Sequence, residues 1–264
     1  MLWIGSTIVG TAALAAFVGP WLTRIDPSAQ ELPLRLAGPM KGHLLGLDEL
    51  GRDLLARVLV GARISFVVGI TVVGVSASVG TCVGAVAGYL GGAVDDLLSR
   101  LIDVLLAFPG LLLAIALVAV LGPSLTNVLM ALTVIGWVGY ARLVRGQVLR
   151  AREFEYVQAA RALGAGTPRV LWRHIVPTAL PAVVVQATLG MAAAIIGEAA
   201  LSFLGLGVQP PTPSWGTMLN GGRAHLLDAP HLTVVPGLAI ALLVLGLNFV
   251  GDGLRDLTDP RHKK

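Results

Sequence analysis

The sequence predicts an all-α integral membrane protein with six membrane-spanning helices, and three observations carry that prediction. The 264 residues are 55% hydrophobic and only 13% charged, with a mean hydropathy of +0.82. A water-soluble domain of that composition would expose far too much apolar surface, whereas lipid is a solvent that accepts it. The apolar residues fall into uncharged or nearly uncharged stretches, each close to the ~20 residues that cross a hydrocarbon core as a helix. These stretches take up most of the chain, which leaves little for a soluble domain. The net charge of +4 raises the question of nucleic acid, but a membrane protein needs cytoplasmic Arg and Lys to set its orientation. No nucleic-acid partner is expected.

Residues 1–22 carry no charge before Arg24. They lack the positive leader of a secretory signal, and the A-x-A triplet Ala13-Leu14-Ala15 lies within the apolar run instead of after it, so a retained first helix is expected. Residues 23–63 are polar and punctuated by Pro27, Pro33 and Pro39. They are read as an extracytoplasmic segment ending in a surface amphipathic helix around Leu54, Leu55, Val58 and Leu59. The second span, residues 64–90, places Gly80, Gly84 and Gly88 on one helix face, where small residues let two helices approach closely in lipid. Residues 104–141 are uncharged and too long for one crossing, and Gly122-Pro123-Ser124 divides them into the third and fourth spans. The fifth span covers residues 178–204 with Glu198 as its one ionisable group, and the sixth covers residues 232–251. Residues 64–253 thus form a five-helix core, followed by a tail at 254–264.

With the N-terminus inside, seven arginines from Arg142 to Arg173 lie in one cytoplasmic loop, and Arg255, Arg261, Lys263 and Lys264 follow in the tail. The segment 23–63 opposes this with Arg24, Arg35, Lys41, Arg52, Arg57 and Arg63. The majority sets the expectation of cytoplasmic N- and C-termini.

The loop at 145–177 is long for a protein whose other connections are short, so structure of its own is expected. Glu153 and Glu155 suit a helix N-terminus. Tyr156, Ala159, Ala160 and Leu163 recur at helical spacing, and Gly164 ends the run. A second short helix should follow, with Thr167 as cap and Pro168 at its first position, and Pro177 and Pro181 should mark the turn back into the membrane. Spacing alone leaves open a rigid knob that receives a partner, a basic anchoring loop, or a helix-turn-helix, the last disfavoured by its place between two spans.

Several chemistries are excluded. No lysine stands in a P-loop context and no nucleophile elbow or H-E-x-x-H occurs, so neither ATP hydrolysis nor hydrolase chemistry is expected of this chain. Cys82 is the one cysteine, which rules out an internal disulfide, a cysteine zinc cage or an iron–sulfur cluster. No cofactor or metal is expected. Glu198 is a functional candidate because an acid inside a span is costly. It can contact solute, relay protons or gate a path; the expectation adopted is that it pairs with a polar group inside the bundle or sits near the outer interface. Trp215, within the Pro- and Gly-rich residues 205–231, suits a membrane interface.

The run Gln158-Ala159-Ala160-Arg161-Ala162-Leu163-Gly164, with Arg173-His174-Ile175-Val176-Pro177 after it, resembles the EAA loop of bacterial ATP-binding cassette (ABC) importer permeases. It departs from that pattern with Gln158 where a glutamate usually stands. Four further runs carry the resemblance along the chain: Gly46-Leu47-Asp48-Glu49-Leu50-Gly51-Arg52-Asp53, Asp103-Val104-Leu105-Leu106-Ala107-Phe108-Pro109, Glu198-Ala199-Ala200-Leu201-Ser202-Phe203-Leu204-Gly205-Leu206-Gly207 and Gly251-Asp252-Gly253-Leu254-Arg255-Asp256. With Gly139-Tyr140-Ala141-Arg142, they resemble the C-type permease subunit of dipeptide, oligopeptide and nickel importers.

The resemblance implies a type I ABC importer permease fold with a cytoplasmic coupling helix, set in the inner membrane of a bacterium and working by alternating access. It implies a second, homologous permease, one or two ATPase subunits that bind ATP and Mg, an extracytoplasmic solute-binding protein, and surrounding lipid. The coupling positions become Glu155, Gln158, Ala159, Ala160, Arg161, Leu163, Gly164 and Pro177, with Ala159, Ala160 and Gly164 at the ATPase contact. Glu198, Phe203, Gln209 and Trp215 become candidates for the translocation pathway or its gate. The rival expectation is a proton-coupled secondary transporter with Glu198 as relay, which would normally show inverted repeats with broken helices.

Overall fold

The computed structural model describes residues 1–23 and 25–258. Arg24, Arg261, Lys263 and Lys264 of the orientation count lie outside the described residues. Among the described residues, five helices are long and apolar enough to cross a membrane, or six where one bent pair is counted as a single span.

Helix α1 (Leu2–Thr23) packs along α10 (His231–Thr258). Before α2, residues 46–53 fold into a tight turn. The Asp48 carboxylate accepts the Leu50 and Arg52 backbone N–H groups, both at 2.9 Å, and pairs with Arg52 at 2.6 Å and Arg57 at 3.3 Å. Asp53 then caps α2 (Leu54–Leu90), accepting the Ala56 N–H at 2.8 Å.

Helix α2 corrects one expectation. Residues 54–63 are not a separate surface helix; they are the first turns of one helix of 37 residues, about 55 Å long. Nothing between the Asp53 cap and Gly91 (φ +66°) breaks it, and Leu54, Ala56, Arg57, Gly61 and Ala62 are buried.

The stretch expected as the third span also differs from expectation. It consists of α3 (Gly92–Leu106) and α4 (Gly110–Leu121), bent by 84° at Ala107-Phe108-Pro109, where proline starts a new helix and restricts the residue before it. Hydropathy overlooks α3 because it carries Asp95, Asp96, Arg100 and Asp103. Two of these charges are matched on α5 (Leu125–Ala151): Arg145 grips Asp95 with two hydrogen bonds of 2.5 and 2.7 Å, and Arg142 reaches Asp103 at 2.8 Å. The motifs at 103–109 and 139–142 therefore meet in space. Helix α5 begins after Gly122-Pro123-Ser124, with the Ser124 hydroxyl accepting the Asn127 N–H.

The α2–α5 seam is the most extensive helix pairing. A Cβ on Gly80 would lie 2.5 Å from the Trp137 carbonyl oxygen, and one on Gly88 2.9 Å from that of Arg145. Gly84 abuts the Ala141 backbone. The helices approach along this stripe because no side chain intervenes.

After α5 come α6 (Glu155–Ala162), the short α7 (Thr167–Arg169), a wide π turn (Val170–Ile175) and α8 (Val176–Phe203). The expected turn at Pro177 and Pro181 is absent, since the helix runs without interruption from Thr167 to Phe203. The π turn precedes Pro177, and side chains take up nearby carbonyls: Thr178 Oγ1 donates to Ile175 O at 2.7 Å and Tyr156 Oη to His174 O at 3.3 Å. Gly166, extended at φ −68° and ψ 156°, holds the cap position of α7 expected for Thr167. Helix α9 (Trp215–Gly222) starts from a capping box between Ser214 and Thr217.

Candidate functional site

Helix α6 is a knob fastened to the bundle by one buried side chain. Val157 is fully buried among Tyr140, Val144, Val148 and Ala151 of α5 and Val170, Leu171 and Ile175 of the π turn. The stripe of helical spacing, Tyr156, Ala159, Ala160 and Leu163, points largely outward, away from the bundle. Tyr156 is 45% exposed and Leu163 88%, Ala159 is exposed and Ala160 half-buried. The helix presents two candidate apolar stripes, and the β-branched residue of the alternative stripe takes the bundle.

The end of the knob is held rigidly. The Gly164 N–H donates to Arg161 O at 2.9 Å and the Ala165 N–H to Ala160 O at 3.0 Å, the paired bonds of a Schellman stop. Gly164 adopts φ +85° with no atom within 4 Å of a would-be Cβ, so its requirement is conformational and not steric. Arg161 stacks over the Tyr89 ring of α2 at 5.0 Å. Gln158 Nε2 folds back onto Glu153 O at 3.1 Å, and Glu155 sits exposed in the first turn, where negative charge meets the helix dipole. Pro177 lies in the first turn of α8, just beyond the π turn. Chemically the knob offers no reactive group; it stands on α5 and α8 with an uncovered apolar and small-residue face.

The four pathway candidates lie elsewhere, around the opposite end of α8. Glu198 is fully buried; its Oε1 accepts from Ser202 Oγ at 2.6 Å, and Ser202 Oγ in turn accepts the Val208 N–H at 3.2 Å. The carboxyl thus ties α8 to the loop that follows. Trp215 is corrected from an interface residue to a core one: it is 3% exposed, its Nε1 donates to Val58 O at 3.0 Å, and Gly61 makes room for its ring. Phe203 accepts the Asn220 side chain on its carbonyl and lies under the Arg223 guanidinium at 5.8 Å. Gln209 is exposed and bonds back to the carbonyls of Gly205 and Gly207 at 3.2 and 3.0 Å.

Sequence reasoning missed two sets of residues. Val157 was hidden by the competing stripe. Ser76 and Gln186, polar residues in long apolar spans, line with Tyr140 a cavity of about 320 Å³ between α2, α4, α5 and α8, which none of the four pathway candidates lines. Their polarity within lipid-spanning helices was the available signal.

Comparison with known proteins places this arrangement. Residues 80–264 match the family described as "Binding-protein-dependent transport system inner membrane component". The chain is 45% identical over 260 residues to the dipeptide transport system permease protein DppC of Alkalihalophilus pseudofirmus, covering 98% of this chain and 86% of that one. It is 47% identical over 226 residues to the glutathione transport system permease protein GsiD of Pectobacterium atrosepticum, covering 86% of this chain and 75% of that one. Among solved structures, an inward-facing form of the MetNI methionine ABC transporter superposes with a TM-score of 0.60 at 18% identity, over 77% of this chain and 97% of its own, a likeness of fold.

Proposed function

This chain belongs to the family of inner membrane components of binding-protein-dependent transport systems, and from that premise we propose that it carries short peptides across the bacterial inner membrane by alternating access, driven through α6. It is a permease subunit of an ABC importer, and the proton-coupled alternative finds no support in its relatives. The dipeptide and glutathione systems of those relatives make a short peptide the substrate class of choice. In this reading a homologous second permease completes the pathway, a solute-binding protein delivers cargo from outside, and one or two ATPase subunits bind ATP and Mg below.

The observation that carries the coupling role is the contrast within α6: Val157 fully buried, Leu163 88% exposed six residues later. A helix anchored on one side and left apolar on the other is complete only with a partner. ATPase closure would push this face, and α5 and α8, packed on Val157 and the π turn, would move with it, so that a bistable bundle switches between its two openings. Both termini then face the cytoplasm with the arginine-rich loop. The basic residues of 23–63 weigh less against this than their number suggests, since Arg52 and Arg57 are both paired with Asp48.

The test is co-purification. Leu163→Asp should leave the chain inserted while the ATPase subunits are lost from the isolated complex. A thiol reagent should reach Leu163→Cys, in a Cys82→Ala background, from the cytoplasmic side alone. Undiminished co-purification, or labelling from outside, overturns the assignment.

A further inference from the structure

The geometry points to a polar constriction at Gln186, where the amide groups of a short peptide exchange hydrogen bonds as it leaves the mid-membrane cavity towards the α6 end of the bundle. This inference rests on the peptide-import reading and adds the residues that meet the solute.

Two cavities lie one above the other along α5 and α8. The first, of about 320 Å³, is walled by α2, α4, α5 and α8. The second, of about 510 Å³, lies nearer α6, with Gln147 of α5, Thr178 of α8, and Asp252 and Arg255 of α10 in its lining. Gln186 is the residue common to both linings. Its backbone carbonyl accepts the Tyr140 hydroxyl at 3.4 Å, which links α5 to α8 at that level. Its side-chain amide makes no hydrogen bond among the described residues. An amide left unpartnered within a membrane span is costly unless it faces water or a ligand.

Two further polar groups stand at the upper cavity. The Ser76 hydroxyl is buried and has no hydrogen-bond partner among the described residues, and it faces Gly136, where a Cβ would come within 2.6 Å of it. Tyr140 Oη faces Gly190 in the same way. Each hydroxyl packs directly against a glycine, so a larger residue at either position would collide with it. The rest of the wall is apolar, and no charged residue lines this cavity. Such a chamber suits neutral amides flanked by side chains of varied size. Gln186 offers one donor group and one acceptor, the same complement as a peptide unit. The lower cavity, with carboxylate and guanidinium both in its lining, suits the charged ends of the solute once past the constriction.

The experiment uses the whole complex, with its ATPase and binding-protein subunits, in vesicles that leave the α6 side accessible. In a Cys82→Ala background, a charged, membrane-impermeant methanethiosulfonate should modify Gln186→Cys without nucleotide and do so about tenfold more slowly in the nucleotide-trapped state. Equal rates in the two states, or no modification in either, overturns the constriction. Should Gln186→Cys fail to assemble, the same reagent applied to Ala193→Cys, an exposed residue of the upper cavity's lining, should react about tenfold faster when Gln186→Ala widens the passage; an unchanged rate overturns it equally. Gln186→Leu should reduce alanyl-alanine uptake about tenfold, one hydrogen bond's worth in the passage, with binding-protein-stimulated ATP hydrolysis retained. Unaltered uptake by Gln186→Leu overturns the role of its amide. A wild-type complex that hydrolyses ATP but takes up no alanyl-alanine would sink the peptide reading instead, and the labelling rates would still report on the constriction.

Discussion

Two regions of this molecule are built from small residues and use them in opposite ways. Along the α2–α5 seam, Gly80, Gly84 and Gly88 are buried and in contact with the backbone and side chains of α5. On α6, Ala159 and Gly164 lie at the surface, with nothing within 4 Å of a Cβ placed on Gly164. Small residues at a seam let two helices of one chain come together. On an anchored but uncovered helix they leave the surface open, as the proposed ATPase contact requires. Composition does not separate the two cases, and burial does.

Breaking the seam should have the largest effect. Gly84→Leu drives a side chain into the Ala141 backbone, and overpacking of this kind costs about 1–3 kcal/mol even where the neighbours can shift. Here backbone meets backbone, so the variant should fail to give an assembled complex by size-exclusion chromatography. Gly74→Ala on the same helix, where nothing lies within 4 Å, should leave both yield and Tm unchanged; a matched loss from both variants would remove the distinction.

Gly164→Val should spare assembly and damage coupling. A non-glycine residue in the left-handed region costs roughly 1–2 kcal/mol, and that strain falls on the stop that sets the angle of the knob. The ratio of ATP hydrolysed to peptide imported should rise, with the Tm of the complex near wild type. A normal ratio in this variant would deny the turn its part in force transmission.

Val157→Ala sharpens the comparison from the other side. It removes part of a buried side chain worth about 1–2 kcal/mol, and α6 should loosen locally. Faster amide exchange confined to residues 153–166 is the expected reading, while a global loss of protection would mean that the knob is part of the bundle core. Arg142→Ala should do least. Its pair with Asp103 is exposed on both sides, at 59% and 68%, and such pairs contribute at most about 1 kcal/mol. A Tm shift comparable to that of Arg145→Ala, whose partner Asp95 is far less exposed, would show that exposure is not what ranks them.

The reach of the sequence follows from where its signals are local. Spans read well where apolar residues run uninterrupted, as in α5 and in α2 beyond residue 63. The crossing α3–α4 read poorly because its first half carries charges whose partners, Arg142 and Arg145, lie some forty residues away or more on α5. The Schellman stop at Gly164 was legible because left-handed geometry favours glycine whatever surrounds it. Which stripe of α6 is buried was not, since a short helix with apolar residues on two faces turns according to what it packs against. Trp215 was misplaced for the same reason: its ring fits an interface by chemistry, but the gap at Gly61 and the Val58 carbonyl draw it inside.

By itself the sequence determined that this chain lives in a membrane, roughly where it crosses, and where its glycine turn must fall, because hydrophobic transfer and backbone sterics act on each segment separately. Only the tertiary structure decided that residues 54–90 are one helix, that Val157 holds the knob, and that Ser76, Tyr140 and Gln186 share a cavity. Those outcomes depend on contacts between residues distant along the chain, and no window of sequence contains both partners.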